Sequence, residues 1–147
     1  MKIGSVLVVC VGNICRSPLG ERALAARLPN VTVTSAGLGA LVDAEADPDA
    51  ATAAAELGIS LDGHKARQWT GAIGAANDLI LVMEPDHRNQ IVRAHPELSG
   101  KTFLMTQWTG GGAINDPYKR SIDMHRAVAK QITEAAGQWA ARLKGRG

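Results

Sequence analysis

The sequence predicts an α/β fold: a four-stranded parallel sheet flanked by helices on both faces. Three observations carry that reading. Short strand-like runs alternate along the chain with longer helical segments. Two of those runs, Val6-Leu7-Val8-Val9 and Leu79-Ile80-Leu81-Val82-Met83, are continuously apolar, as strands buried on both faces are. Proline recurs where helical patterns begin, at Pro18, Pro48 and Pro85, positions that need no backbone N–H.

In chain order, the strand over Val6–Val9 leads through a turn at Gly12-Asn13 into a helix. Ser17 is read as its cap and Pro18 as its first residue, and it runs to about Leu28. Glu21 falls one residue too late for a capping box with Ser17, which leaves the Ser17 hydroxyl for another use. Val31 to Ser35 alternates as a second strand. Asp47-Pro48 opens an Ala-rich helix that ends near Leu57-Gly58. A weaker helix is expected over Lys65 to Ala75. The third strand is Leu79–Met83, and Pro85 begins a helix to Ala94. Thr102 to Met105 is a short fourth strand, and the stretch from Thr109 through three glycines to Arg120 is an irregular loop. The last helix spans Ser121 to Leu143, with Met124, Val128, Ile132, Ala135, Trp139 and Leu143 as its apolar stripe.

The 147 residues make one domain, 1–147, and a hydrophobic fraction of 46% is enough for a core, although only 3% of the chain is aromatic. A net charge of +2, with both signs scattered along the chain, does not favour nucleic acid or an anionic membrane as partner. The apolar run near the N-terminus is too short for an export signal and no stretch is long enough to span a bilayer, so a cytoplasmic chain without membrane insertion is expected. Two cysteines five residues apart read as reduced thiols, and with no histidine nearby in sequence they make a poor zinc site.

Those cysteines lie in the segment Cys10-Val11-Gly12-Asn13-Ile14-Cys15-Arg16-Ser17, between a buried strand and a helix N-terminus. Free backbone N–H groups and the positive end of the helix dipole make such a loop an anion site before any side chain is counted. Gly12 is read as the residue that lets the backbone form a tight cradle. Arg16 can turn its planar fork onto two phosphate oxygens. The same positive field favours a thiolate at Cys10, the nucleophilic form.

Cys-x5-Arg-Ser is the signature of cysteine-dependent phosphatases. The longer stretch Val9 to Pro18, with Ser35-Ala36-Gly37, Asp47-Pro48, Gly63-His64-Lys65-Ala66-Arg67-Gln68 and Asp116-Pro117-Tyr118 following in order, resembles the low-molecular-weight protein tyrosine phosphatases over essentially the whole chain. The resemblance implies the three-layer phosphotyrosine phosphatase I-like sandwich and a metal-independent reaction without cofactor. It implies Cys10 as nucleophile, and Arg16 with the amides of Val11, Gly12, Asn13, Ile14 and Cys15 as the phosphate cradle. Asp116 would be the general acid and then base, and Ser17 the donor that helps the sulfur leave. Asn13, Ser35 and His64 would brace the loop, and Leu41 and Tyr118 would wall the substrate pocket. The stretch Ser35 to Val42 resembles the bacterial branch that acts on tyrosine autokinases of capsule and exopolysaccharide export. That implies a phosphotyrosine protein, such an autokinase, as partner of a monomer. The chain departs from the family in having Leu41 and Lys119 where aromatic residues are common.

Cys15 is read equally as packing beneath the loop or as a disulfide partner that shields Cys10. His87, His95 and His125 are expected on the surface. Trp69, Trp108 and Trp139 are read as packing residues, with Trp108 near the mouth of the site as a further option. An arsenate reductase on the same scaffold would need further cysteines to carry a disulfide outward, and none follows position 15. A phosphate-binding module without turnover would be expected to lack the thiol, the arginine or the acid. A flavin or dinucleotide domain would show a Gly-x-Gly-x-x-Gly after a strand, and none is present.

Overall fold

The computed structural model describes residues 2–144. Four strands, β1 (Ser5–Cys10), β2 (Thr32–Gly37), β3 (Leu79–Val82) and β4 (Thr102–Leu104), form one sheet in the order β2-β1-β3-β4. Every neighbouring pair is parallel. The α-helices among the described residues are α1 (Arg16–Arg27), α2 (Pro48–Glu56), α3 (Gly71–Ala75), α4 (Pro85–Ala94) and α5 (Ile122–Lys144), with a 3-10 turn over Pro96–Lys101. No described helix is long and apolar enough to cross a membrane.

The two-residue period of a strand sorts β1 between two cores. Val6, Val8 and Cys10 turn to one face, where Leu19, Leu24, Ala53, Ala54, Ile132 and Trp139 of α1, α2 and α5 cover them. Leu7 and Val9 turn to the other, against Ile91 of α4 and Leu98 of the 3-10 turn. β1 and β3 are wholly buried from Val6 to Cys10 and from Leu79 to Val82, which is why both read as continuous apolar runs. Parallel strands place all their carboxyl ends on one edge, and the loop after β1 opens there.

Three local expectations differ from the structure. β2 does not alternate: it is exposed at Thr32 and buried from Ser35 to Gly37, because only its second half lies beneath the loop that follows β1. The helix expected over Lys65–Ala75 shrinks to Gly71–Ala75, capped by the Thr70 hydroxyl on the Ile73 amide. Residues 67–69 instead run extended beside the end of β2, where Gly37 N–H donates to Arg67 O and Trp69 N–H to Gly37 O. Finally, α1 starts at Arg16 with Cys15 at its cap position, and no side chain caps it. Ser17 is already inside the helix.

Gly37 fixes how closely β2 meets the loop after β1. A Cβ there would lie 2.3 Å from the Val11 carbonyl oxygen and 3.0 Å from the Asn13 backbone N, atoms that cannot swing aside. Gly37→Ala is therefore expected to destabilise the chain by about 1–3 kcal/mol, the usual scale of overpacking, as read from urea unfolding.

Candidate active site

The loop from Cys10 to Ser17 curls round the end of β1 with one residue in the left-handed region, and it is Asn13 (φ 58°), not Gly12. Gly12 has an ordinary φ, and a Cβ there would meet only ordinary contact, so its expected role in shaping the cradle falls to Asn13. Asparagine tolerates this conformation when its side chain is bonded locally. Here the Asn13 amide donates to Ser17 Oγ (2.7 Å) and Ser35 Oγ (3.0 Å) and accepts from the Arg67 backbone N–H (2.9 Å). His64 Nε2 donates to the Asn13 carbonyl at 2.6 Å. Ser35 in turn donates to Glu21 Oε1 (2.7 Å), and Arg67 Nε donates to the Ser35 carbonyl (2.8 Å). The three expected braces thus stand in one buried network, which Glu21 and Arg67 extend.

That network also orients the hydroxyl beside Cys10. Ser17 Oγ lies 2.9 Å from Cys10 Sγ. Because Ser17 Oγ already accepts from Asn13, its proton is free to point at the sulfur, and a thiolate can only accept. The Ser17 backbone N–H lies 3.4 Å from the same sulfur. Two donors aimed at Sγ stabilise the anion directly. Cys15, the other thiol, is also free and buried. Burial, reinforced by the Asp47 carboxylate, pushes its thiol well above the ordinary range, so it remains protonated at neutral pH.

Arg16 is the largest fully buried side chain, only 1% exposed. Its Nη1 donates to Glu84 Oε2 (2.6 Å) and to the Ile114 carbonyl (2.7 Å). Its Nη2 lies 3.7 Å from Asp116 Oδ2, and its Nε is buried without a partner. One end of the guanidinium is therefore anchored, and the Nε–Nη2 edge is left to receive two oxygens of a tetrahedral anion. An unpaired buried donor costs about 1–3 kcal/mol, which a bound oxyanion would relieve.

Cys10, Val11, Gly12, Ile14, Cys15, Arg16, Gly39, Leu41, Asp116 and Tyr118 enclose a pocket of about 180 Å³. The loop after β2 is zipped onto the first loop, with Leu38, Gly39 and Leu41 amides donating to Cys10, Val11 and Gly12 carbonyls, and this sets Leu41 on the wall. Asp116 sits at the mouth with its carboxyl about half exposed, and its Oδ1 accepts the Tyr118 amide at 3.1 Å. Tyr118 stands at the rim, its ring 5.4 Å from Lys119 Nζ. Thiol, guanidinium and carboxylic acid thus converge on one hollow. That set can displace a leaving group from phosphorus, hold the oxygens and protonate the group that departs.

A family model described as low molecular weight phosphotyrosine protein phosphatase matches residues 5–146. The chain belongs to this family. It is 48% identical to the low molecular weight protein-tyrosine-phosphatase Etp of Escherichia coli K12, over 97% of each chain. The crystal structure of the tyrosine phosphatase AmsI of Erwinia amylovora superposes with a TM-score of 0.93 at 46% identity, covering 96% of this chain and 93% of that one. Wzb of Vibrio vulnificus in complex with benzylphosphonate does so with the same TM-score at 43% identity, covering 96% of this chain and 99% of that one.

Several residues lie elsewhere than the sequence suggested. His87 and His125 are buried, not on the surface, whereas His95 is partly exposed. His125 joins the inner stripe of α5, its Nε2 3.7 Å from Asp47 Oδ2. Trp108 is far from a mouth residue: it stacks edge-on against Trp139 beneath Arg142 and lines a separate groove. Glu84 went unnoticed in the sequence, although an acidic residue directly after a buried strand stands where such sheets bind ligands.

Asn13→Ala removes the side chain that makes the left-handed turn tolerable and leaves Ser17 and Ser35 without their donor. It is expected to cost about 2–4 kcal/mol in urea unfolding, the combined scale of backbone strain and broken buried bonds. A second expectation concerns pH. Burial first, then the Arg16 charge, holds His87 below the ordinary histidine value. The unfolded chain takes up a proton near about pH 6.5 and the folded chain does so only at lower pH. The stability from neutral His87 is therefore fully present above about pH 6.5 and is lost as pH falls towards the depressed folded value. Differential scanning calorimetry should show a smaller drop in Tm between about pH 7 and pH 5 for His87→Gln than for wild type.

Proposed function

We propose that this chain is a protein tyrosine phosphatase that works through a cysteinyl-phosphate intermediate. The observation that carries the reading is the meeting of Cys10 Sγ, the free edge of Arg16 and the Asp116 carboxyl in one pocket, with Ser17 Oγ 2.9 Å from the sulfur. The Cys10 thiolate attacks phosphorus while the bond to the tyrosine oxygen breaks. Asp116 gives its proton to the departing phenolate, and the Nε–Nη2 edge of Arg16 with the loop amides holds the equatorial oxygens. Water then attacks the phosphocysteine. Asp116, now a carboxylate, takes the water's proton, the P–S bond breaks, and the Ser17 hydroxyl and amide stabilise the returning thiolate.

In this reading Asn13, Ser35 and His64 keep the loop in its bent form, and Leu41 and Tyr118 contact the substrate ring. With one aromatic wall and one aliphatic wall, the ring is held less by stacking than between two aromatics. The likeness to Wzb with benzylphosphonate, a benzyl group on a phosphonate, supports an aryl phosphate as substrate. We further propose that the chain acts as one domain and as a monomer in the cytoplasm. Its partner in this proposal is a tyrosine autokinase of exopolysaccharide export, a proposal supported by the resemblance of Ser35 to Val42 to that bacterial branch.

Turnover of p-nitrophenyl phosphate in EDTA tests the chemistry. Cys10→Ser should lose at least about a thousandfold in kcat, the scale of removing a nucleophile. Asp116→Asn should lose about 10²–10⁴-fold, the scale of general acid catalysis. Undiminished turnover by Cys10→Ser would sink the mechanism.

A further inference from the structure

Glu84 does not do what its place in the chain calls for. It stands at the N-cap position of α4, where a side-chain oxygen ordinarily accepts from the first amides of the helix, yet its carboxylate makes no such bond. Its Oε2 accepts from Arg16 Nη1 at 2.6 Å, and His87 holds Nε2 3.3 Å from that same oxygen. One carboxylate oxygen, just beyond β3, thus bonds a buried guanidinium, lies close to a buried imidazole and gives up the cap.

We propose that Glu84 is the positioning residue for Arg16 in this reaction, and that His87 makes its hold depend on pH. The proposal rests on the phosphatase reading above. The two hydrogens of Nη1 are directed to Glu84 Oε2 and to the Ile114 carbonyl. A guanidinium is planar and rigid, so fixing Nη1 in two directions fixes the plane and aims the Nε–Nη2 edge into the pocket. Binding a phosphate dianion needs mainly the positive charge. Stabilising the transition state needs the fork aligned with equatorial oxygens, and a misplacement near 1 Å can cost about a hundredfold. Losing Glu84 should therefore lower kcat far more than it changes KM.

His87 faces Glu84 and Asp86 on its own helix, and Arg16 and Asp116 across the site. When neutral, it leaves Glu84 Oε2 to Arg16. When protonated, it becomes a second cation competing for that oxygen, and the anchored end of Arg16 loosens.

The test uses the full chain and p-nitrophenyl phosphate. E84A should lower kcat by about ten- to a hundredfold with KM within about threefold of wild type. E84Q, whose amide oxygen can still accept from Nη1, should recover part of the loss. In an R16K background, where the fork is already gone, E84A should add less than about twofold. E84A with kcat within about twofold of wild type would overturn the proposal, as would an equal loss in the R16K background, which marks a purely structural effect. If circular dichroism shows E84A unfolded, E84Q and its cycle with R16K carry the same comparison. Failure here is separable from failure of the phosphatase reading: Cys10→Ser inactive beside a fully active E84A overturns only the positioning role. For His87, H87Q should flatten the fall in kcat at low pH, where the folded His87, held below its ordinary value, takes up its proton, and superimposable pH profiles would remove His87 from the proposal.

Discussion

A charged side chain with 1% exposure is the constraint around which the ligand-binding edge of this molecule is arranged. Withdrawing a guanidinium from water costs several kcal/mol unless partners replace the solvent. Arg16 finds them on different parts of the chain: a carboxylate at the end of β3 and a carbonyl in the irregular loop before Asp116. The Ile114 amide also donates to the Met83 carbonyl, so the same residue is tied at both its polar groups. An irregular segment with few apolar contacts is in this way held against the sheet, and Asp116, two residues on, is delivered to the mouth of the pocket.

On the other side of Cys10 the constraint is conformational. Asn13 adopts a backbone that most residues avoid, and its amide and carbonyl are bound by the start of α1, the middle of β2 and the 64–67 segment. The close approach that Gly37 permits brings β2 near enough for Ser35 to join. The sulfur therefore sits between two assemblies, one centred on the buried Arg16 charge and one on the left-handed turn at Asn13. Both are held by bonds within the chain itself, the kind of fixed polar frame that leaves little reorganisation to the chemical step.

Much of the fold was legible because each element obeys a local rule. The apolar runs of β1 and β3, the Asp47-Pro48 start of α2 and the Pro85 start of α4 all fall where patterning put them, and the Asp47 carboxylate caps α2. The misses share a cause. Ser17-Pro18 reads as a helix start, but the Ser17 hydroxyl is drawn to Cys10 and Asn13, and the helix begins two residues earlier. Lys65–Gln68 has helical composition, but its backbone is taken by Gly37 and Asn13. His87 and His125 are polar residues on amphipathic helices, and only the packed partner decides whether such a residue faces inward.

By itself the sequence determined the architecture and the reactive loop, because strand burial, helix starts and the spacing of Cys10, Arg16 and Ser17 are properties of neighbouring residues. Beyond the braces Asn13, Ser35 and His64 that the resemblance implied, tertiary structure alone decided that Glu84 and Arg67 help hold the loop in shape. Glu84 is 68 residues from Arg16 and Arg67 is 54 from Asn13, and no pattern along the chain registers a bond across such distances. The demand for a partner comes from burying a charge and a strained turn, and that demand arises only once the sheet has brought these segments to one edge.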